Sequence, residues 1–366
     1  MLASFAADAF PSLGDGLYTV AHRGCWLREN DGEFYIPENS PVGIAMAKKF
    51  GYPAIECDVK YTLDGVMVVM HDNNINRTMR NASDYSKIKE PVRVSETTFA
   101  ELREKYVLES SDPALRTPIP TLEEMLLACR ENGIVAMLHS SVVESYGLAQ
   151  RILGDSGFIA FSGDEEAVAR ARDVSKCLIL LDPGMATAEE TVARLKAIGG
   201  SCGMSTMKYK MLDRNYIKTV RDAGFEVQAS IFVTPHEQRA VHDAVSIQLT
   251  DFWWFQTDGR KPFWTASEPV RLQAGEKHFV SHPAADGDFN AMTLRLSFCG
   301  DITVTLTDWR QTREGWKKVP CTYRLHRDSH GEEILGLRLY KTSPEITVTC
   351  GEAPADVSIR AALYKL

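Results

Sequence analysis

Residues 54–72 read AIECDVKYTLDGVMVVMHD, and this stretch indicates how the first two thirds of the chain fold. Its first half is an apolar run that ends in the carboxylates Glu56 and Asp58. Residues two apart on a strand face the same side, so both carboxylates and Lys60 share one face. Charged groups at the carboxyl end of a buried strand are typical of the active-site face of a (β/α)8 barrel.

The second half of this stretch predicts a hairpin. Leu63-Asp64-Gly65 is a tight-turn sequence between two β-like runs. Pairing of the two runs would bring His71 and Asp72 back towards Glu56. We therefore expect an inserted hairpin directly after the second strand, carrying further polar groups to the same end.

The alternation of short apolar runs and longer helical patterns continues outward from this stretch over residues 1 to about 252. Eight strands, each followed by a helix, are the count and length of a TIM (β/α)8 barrel. A dinucleotide-binding sheet would carry GxGxxG after its first strand, where this chain has AHRG. The predicted strands are Leu17–Ala21, Ala54–Tyr61, Ile134–His139, Phe158–Ser162, Cys177–Leu181, Ser201–Met207, Glu226–Val233 and Ser246–Thr250.

The predicted helices have identifiable ends. Ser40 is placed to cap the first helix, Pro41 suits its first position, and Gly51 suits its end. The amphipathic stretches include Pro41–Phe50, Thr121–Asn132, Ala186–Ile198, Asn215–Ala223 and Pro235–Asp243.

The sequence pattern changes after Asp251. From about residue 268, apolar and polar residues alternate with period two, which predicts an antiparallel β-sandwich. Aromatic residues crowd positions 252–264 and suggest an apolar interface between two domains. The predicted organisation is a barrel at 1–255, a linker at 256–267 and a β-sandwich accessory domain at 268–366.

Composition excludes several classes of protein. Among 366 residues, 41 Lys and Arg face 49 Asp and Glu, so the net charge of −8 argues against nucleic acid as partner. No apolar run approaches the roughly 18 to 20 residues of a transmembrane segment. The eight scattered cysteines and the absence of a basic amino-terminal region favour the cytoplasm, with secretion after signal removal as the alternative.

The candidate chemistry lies in the first quarter of the chain. His22 and Arg23 end the first strand, as Glu56 and Asp58 end the second, and the hairpin adds His71. Hard carboxylate oxygens suit Mg²⁺ or Ca²⁺, a guanidinium suits phosphate, and imidazoles transfer protons near neutral pH. The alternative is a structural layer of ion pairs that includes Lys60.

These residues and their order resemble the glycerophosphodiester phosphodiesterase family. The similarity is close over residues 17 to about 80 and looser to Asp251. It rests on His22-Arg23-Gly24, Pro37-Glu38-Asn39-Ser40, Glu56-Cys57-Asp58-Val59, Thr62, Asp64-Gly65, His71-Asp72, Arg77-Thr78 and Thr250-Asp251.

The resemblance implies a TIM barrel that hydrolyses small glycerophosphodiesters to an alcohol and glycerol 3-phosphate. It implies His22 and His71 as acid and base, Arg23 as phosphate ligand, and Glu56 and Asp58 as metal ligands. The implied cofactor is a divalent metal, Mg²⁺ or Ca²⁺, with Mn²⁺ as an alternative.

The third strand departs from the family pattern of Glu-x-Lys. This chain has His139 at the Glu position and Ser141 at the Lys position. We expect His139 to replace the carboxylate as a metal ligand. The alternative is a packed structural histidine, with Glu144 or water completing the coordination.

Two other functions stay open at this stage. One is a phospholipase-D-like lyase that forms a cyclic phosphate on the same barrel. The other is a catalytically weakened member that binds phosphodiesters or glycans. The accessory domain either binds carbohydrate or lipid or completes a homodimer interface, and its sequence does not choose between these.

Overall fold

The computed structural model describes residues 18–28, 34–206, 214–232, 244–251, 264–282, 291–312, 315–338 and 345–364. By its internal contacts the chain divides into two compact units, a barrel and a carboxyl-terminal β domain. Each unit has its own buried core.

The first unit is a closed barrel of eight parallel strands, which confirms the predicted TIM fold. Each strand pairs with the next in the chain, and the eighth pairs with the first. Every observed end lies within one residue of its predicted position. The strands are β1 (Tyr18–Ala21), β2 (Ala54–Tyr61), β3 (Val135–His139), β4 (Phe158–Ser162), β5 (Leu178–Leu181), β6 (Cys202–Thr206), β7 (Glu226–Phe232) and β8 (Ile247–Thr250).

Side-chain caps set the starts of the connecting helices. Ser40 accepts a hydrogen bond from the Gly43 N–H at 3.1 Å, as its sequence position predicts. Thr121 and Thr187 form capping boxes with glutamates three residues later. The helices are α1 (Pro41–Lys49), α2 (Phe99–Lys105), α3 (Leu122–Asn132), α4 (Val143–Leu153), α5 (Glu165–Val174), α6 (Ala188–Ile198) and α7 (Arg214–Asp222). The predicted helix Pro235–Asp243 lies outside the described residues.

The predicted hairpin belongs to a larger insertion at residues 62–120. Its strand Met67–Val69 pairs antiparallel with β2, which confirms the hairpin. The insertion also contains α2, a pair of short strands, Met79–Asn81 and Tyr106–Leu108, and three single-turn 3₁₀ helices. It buries an apolar cluster of its own, which includes Val68, Met70, Ile75, Met79, Val94, Leu102, Leu108 and Ile119.

The second unit is an antiparallel β domain, as predicted. Its strands are β9 (Trp264–Leu272), β10 (Lys277–Phe279), β11 (Ala291–Thr312), β12 (Gly315–Arg338), β13 (Glu345–Cys350) and β14 (Ala355–Tyr364). The 22-residue β11 pairs with β12 on one edge, and with β14 and then β13 on the other. The six strands therefore belong to one hydrogen-bonded sheet around one core.

Two parts of the prediction fall on residues that the structure does not describe. The aromatic stretch at 252–263 is among them. Position 255 is the other, and the domain limits at 255 and 268 stay predictions. Within the described segments, no helix has the length and apolar character needed to cross a membrane.

Candidate active site

Inward-facing side chains of the barrel change from apolar to polar towards the carboxyl ends of the strands. Val20, Ala54, Met137 and Leu249 belong to the cluster that fills the interior. Residues two positions further along the same strands also have side chains that point inward. The residues at these next positions are His22, Glu56, His139 and Asp251, and Asp58 lies two beyond Glu56. The barrel thus collects its polar groups at the face where such folds place active sites.

Glu56, Asp58 and His139 form a compact group of candidate metal ligands. One ligand atom from each lies within 4.8 Å of the other two. The Nδ1 atom of His139 is 3.1 Å from Asp58 Oδ1 and 3.8 Å from Glu56 Oε1. The His139 ring stacks on Phe161, with a centroid distance of 4.3 Å. Parallel pairing of β2 and β3 explains the proximity, because Asp58 and His139 are register partners.

The opposite pKa shifts of the two carboxylates indicate that this group is suited to a cation. Glu56 is only 2% exposed, and burial raises its pKa well above the ordinary value, with Asp58 raising it further. Burial acts to raise the pKa of Asp58 too, but the hydrogen bond with His139 and nearby positive charges lower it. A divalent cation between these side chains would offset the like-charge repulsion that now favours a proton on Glu56. The donor set therefore fits a metal ion.

Two alternatives from the sequence find no support in the geometry. Among the residues that the structure describes, no ion pair joins Lys60 to Glu56 or Asp58, so a salt-bridge layer is not formed there. Glu144 accepts a hydrogen bond from the Tyr61 hydroxyl at 2.8 Å and is exposed. It does not belong to the described metal-ligand group.

His22 is oriented by Asp251, which follows β8. The distance from His22 Nδ1 to Asp251 Oδ1 is 2.9 Å, and both side chains are buried. Burial lowers the pKa of His22 below its ordinary value of 6.5, while the Asp251 carboxylate acts in the opposite direction. Sequence reasoning noted Asp251 only as a strand end and assigned it no role. Its position directly after the last strand was the available signal.

Arg23 occupies a strained turn that aims both its backbone and its side chain at the site. Its φ of 56° lies in the left-handed region, and its N–H donates to Glu56 Oε2 at 3.0 Å. Gly24 follows with φ 72°, where a Cβ would lie 3.4 Å from the Gly43 carbonyl carbon. The Arg23 guanidinium lies 3.3 Å from both Glu38 oxygens and 3.9 Å from Asp58. Glu38 is thus a second residue at the site to which sequence reasoning gave no role.

His71 is brought to the same end by the insertion. The N–H of Met70 donates to the Asp58 carbonyl oxygen at 2.9 Å, so His71 follows a residue paired with the acidic end of β2. The distance from His71 Nδ1 to Asp72 Oδ1 is 2.7 Å. Asp72 in turn accepts hydrogen bonds from Arg77. The fold therefore gathers every predicted site residue, from three strands and the insertion, at one mouth of the barrel.

Fold and site together define a TIM barrel with a candidate metal centre and two carboxylate-bonded histidines at its carboxyl-terminal mouth. The sequence model described as the glycerophosphoryl diester phosphodiesterase family matches residues 22–146. The matched segment contains His22, Glu56, Asp58, His71 and His139.

Similar proteins agree with this match over part of their length. Glycerophosphodiester phosphodiesterase 1 of Mus musculus is 31% identical over 125 residues, which cover 33% of this chain and 32% of that protein. This chain thus matches about a third of the length of such curated relatives. A putative glycerophosphodiester phosphodiesterase of Bacillus subtilis is 26% identical over 58% of this chain and 85% of its own length.

Solved structures support the fold. A putative glycerophosphoryl diester phosphodiesterase from Silicibacter pomeroyi matches with a TM-score of 0.53 and 18% identity, covering 68% of this chain and 94% of that one. A phosphodiesterase from Oleispira antarctica, solved with the product sn-glycerol-3-phosphate, matches with a TM-score of 0.51 and 17% identity, covering 68% and 95%. At these identities the likeness concerns the barrel fold.

Proposed function

We propose that this protein is a metal-dependent phosphodiesterase that hydrolyses glycerophosphodiesters to glycerol 3-phosphate and an alcohol. The observation that carries the proposal is the convergence of Glu56, Asp58 and His139 within 4.8 Å, inside the segment that matches the family. His22, His71 and Arg23 surround the same barrel mouth. A metal centre, two proton-transfer groups and a guanidinium together would support phosphodiester hydrolysis.

Glu56, Asp58 and His139 would hold the metal. Two carboxylates suit Mg²⁺ or Ca²⁺, while the imidazole makes the site more tolerant of Mn²⁺. When bound, the ion would offset negative charge that develops on the phosphoryl oxygens. Arg23 would bind a phosphoryl oxygen with the guanidinium edge that its long 3.3 Å contacts with Glu38 leave weakly engaged.

His22 and His71 would transfer the protons. Burial keeps His22 neutral near pH 7, which suits a base that accepts a proton from the attacking water. Asp72 holds the Nδ1 side of His71, so Nε2 is the nitrogen available to donate a proton to the leaving alkoxide. The assignment of base and acid follows from these two different surroundings.

Chelation tests the proposal directly. The purified protein, treated with a chelator and assayed with several glycerophosphodiesters, should lose turnover and regain it with Mg²⁺, Ca²⁺ or Mn²⁺. His22→Ala and His71→Ala should each lower kcat by roughly 10²-fold or more while remaining folded. Undiminished turnover after exhaustive chelation would exclude the metal-dependent mechanism.

The products distinguish the alternative functions. Phosphorus NMR should show glycerol 3-phosphate, and a cyclic phosphate would instead assign the lyase reaction. Metal-dependent binding of a phosphodiester without turnover would assign the catalytically weakened role. Glu56→Gln, which removes one ligand charge, is the matched control against a contaminating enzyme.

The cytoplasm is the proposed compartment. Six cysteines are buried free thiols in the described structure, namely Cys25, Cys57, Cys129, Cys177, Cys202 and Cys350. Such thiols are typical of proteins kept under reducing conditions.

A further inference from the structure

One guanidinium in the insertion binds two carboxylates at once. Arg77 ends the 3₁₀ helix Ile75–Arg77. Its Nε and Nη2 atoms donate to Asp72 at 2.6 and 3.1 Å. Its Nη1 and Nη2 atoms donate to Glu38 at 2.9 and 2.6 Å. Both pairs are bidentate, the geometry in which arginine binds carboxylates most strongly.

The two carboxylates lead to different functional groups. Asp72 accepts from His71 on the insertion, at 2.7 Å. Glu38, on the loop between β1 and α1, faces the guanidinium of Arg23 at 3.3 Å. These contacts form a chain of side chains that runs from His71 through Asp72, Arg77 and Glu38 to Arg23.

We propose that Arg77 is a positioning residue that fixes the proton-transfer group His71 relative to the phosphate-binding group Arg23. The inference rests on the proposed function. Arg77 acts through Asp72 on His71 and through Glu38 on Arg23. Its effects on proton transfer and on phosphate binding should therefore be separable. Its role also joins the insertion to the barrel loop at the point where the reaction occurs.

The charges of the groups around Arg77 explain why this position needs an arginine. Glu38 is 4% exposed, and two guanidiniums flank it. Without Arg77, Glu38 would keep Arg23 as its partner and draw that guanidinium away from phosphate, which weakens substrate binding. Asp72 would lose its fixed orientation, and His71 would lose the partner that orients its ring. A lysine keeps the charge but cannot form two bidentate contacts.

Kinetics of four single variants and one double variant test the positioning role of Arg77. Arg77→Ala should lower kcat and raise KM, for a loss of roughly 10²-fold in kcat/KM, because small misplacements of reacting groups are costly. Arg77→Lys should recover little of that loss. Asp72→Asn should lower mainly kcat, and Glu38→Gln should change mainly KM. Adding Asp72→Asn to Arg77→Ala should cost less than about twofold more in kcat, because both act through one group.

Arg103→Ala is the matched control. Arg103 also joins the insertion to the barrel, since it donates to Glu124 at 2.5 Å and to the Ile119 carbonyl oxygen at 3.2 Å. It has no contact with His71, Asp72 or Glu38 among the described interactions. Its loss should lower the melting temperature and leave kcat and KM unchanged.

Nitrogen-15 NMR of the His71 ring gives a readout that needs no turnover. In the unmodified protein a proton should stay on Nδ1, donated to Asp72, whether or not Nε2 also carries one, and Arg77→Ala should give an averaged tautomer signal. An unchanged ring signal, or kinetics of Arg77→Ala that match Arg103→Ala, overturns the positioning role. If the unmodified protein turns over no glycerophosphodiester with metal, the proposed function fails and the ring signal alone decides the role of Arg77.

Discussion

His139 stands where the resemblance implies a glutamate, and the structure brings it to the two carboxylates. Its Nδ1 atom lies nearer to Asp58 than to Glu56. A site with two carboxylates and one imidazole carries one negative charge fewer than a site with three carboxylates. Such a site should bind hard cations less tightly and later transition metals better.

His139→Glu should therefore raise the affinity for Mg²⁺ and Ca²⁺ and reduce the preference for Mn²⁺. Calorimetric titration of the metal-free protein measures both effects. Glu144→Gln is the control, because the competing view places Glu144 in the coordination sphere. Unchanged affinity in His139→Glu together with weaker binding in Glu144→Gln would contradict our assignment, as would a metal-bound crystal structure with the His139 nitrogens well beyond about 2.0–2.3 Å from the ion.

The pair of His22 and Asp251 gives a pH dependence with a definite sign. Burial lowers the pKa of His22, and the Asp251 carboxylate partly reverses this shift. If His22 is the base, kcat/KM should fall only below about pH 6.5, where the ring of an unperturbed histidine is half protonated. Removal of the carboxylate favours the neutral ring further.

Asp251→Asn should therefore move the acid limb of kcat/KM to lower pH, and it should lower kcat by at least about tenfold because the ring loses its orientation. A pH–rate profile of both proteins, with circular dichroism to confirm folding, measures this. If the acid limb of kcat/KM moved to higher pH instead, a group other than His22 would control it.

At the scale of elements, the turn before α1 contains both the residue that caps this helix and residues that contact the site. The Ser40 hydroxyl accepts from the Gly43 N–H at 3.1 Å and donates to the Pro37 carbonyl oxygen at 2.7 Å. Glu38 and Asn39 lie between these contacts, and Asn39 donates to Asp58 Oδ2 at 3.2 Å. The φ of Asn39 is 52°, so the cap also holds a strained residue in place.

Ser40→Ala should lower the free energy of unfolding by about 1 kcal/mol, as expected for a lost N-cap. It should also raise KM, because Glu38 and Asn39 lose their fixed turn. Thr187→Ala removes the cap of α6 and should cost similar stability without a change in KM. Urea unfolding and steady-state kinetics compare the two variants. Equal KM values in the two variants would show that the Ser40 cap does not affect the site.

The insertion shows the limit of prediction at this scale. The hairpin was predicted because Asp64-Gly65 and alternating apolar residues are local signals. The apolar core of residues 62–120 was not predicted, because it joins short segments far apart in sequence, such as Ile75, Leu102 and Ile119. Buried contacts of this kind leave no periodic pattern.

At the scale of the whole molecule, the amino-acid sequence determined the barrel and the β domain. Strand and helix periodicity are local properties. Eight repeats of strand and helix, with polar residues at the carboxyl ends of the strands, specify a barrel with a polar mouth. The motif from His22 to Thr78 then predicts the candidate site residues and their chemistry. These features could be predicted because each is encoded by neighbouring residues.

Only the tertiary structure decided which side chains act together. It paired His22 with Asp251, placed His139 beside Asp58, and linked His71 to Arg23 through Arg77 and Glu38. Residues 229 positions apart meet because the last strand of a closed barrel lies beside the first. Barrel closure and packing of the insertion set these distances, and neither is written in any local stretch of the chain, since both depend on the whole set of parallel strands and buried contacts.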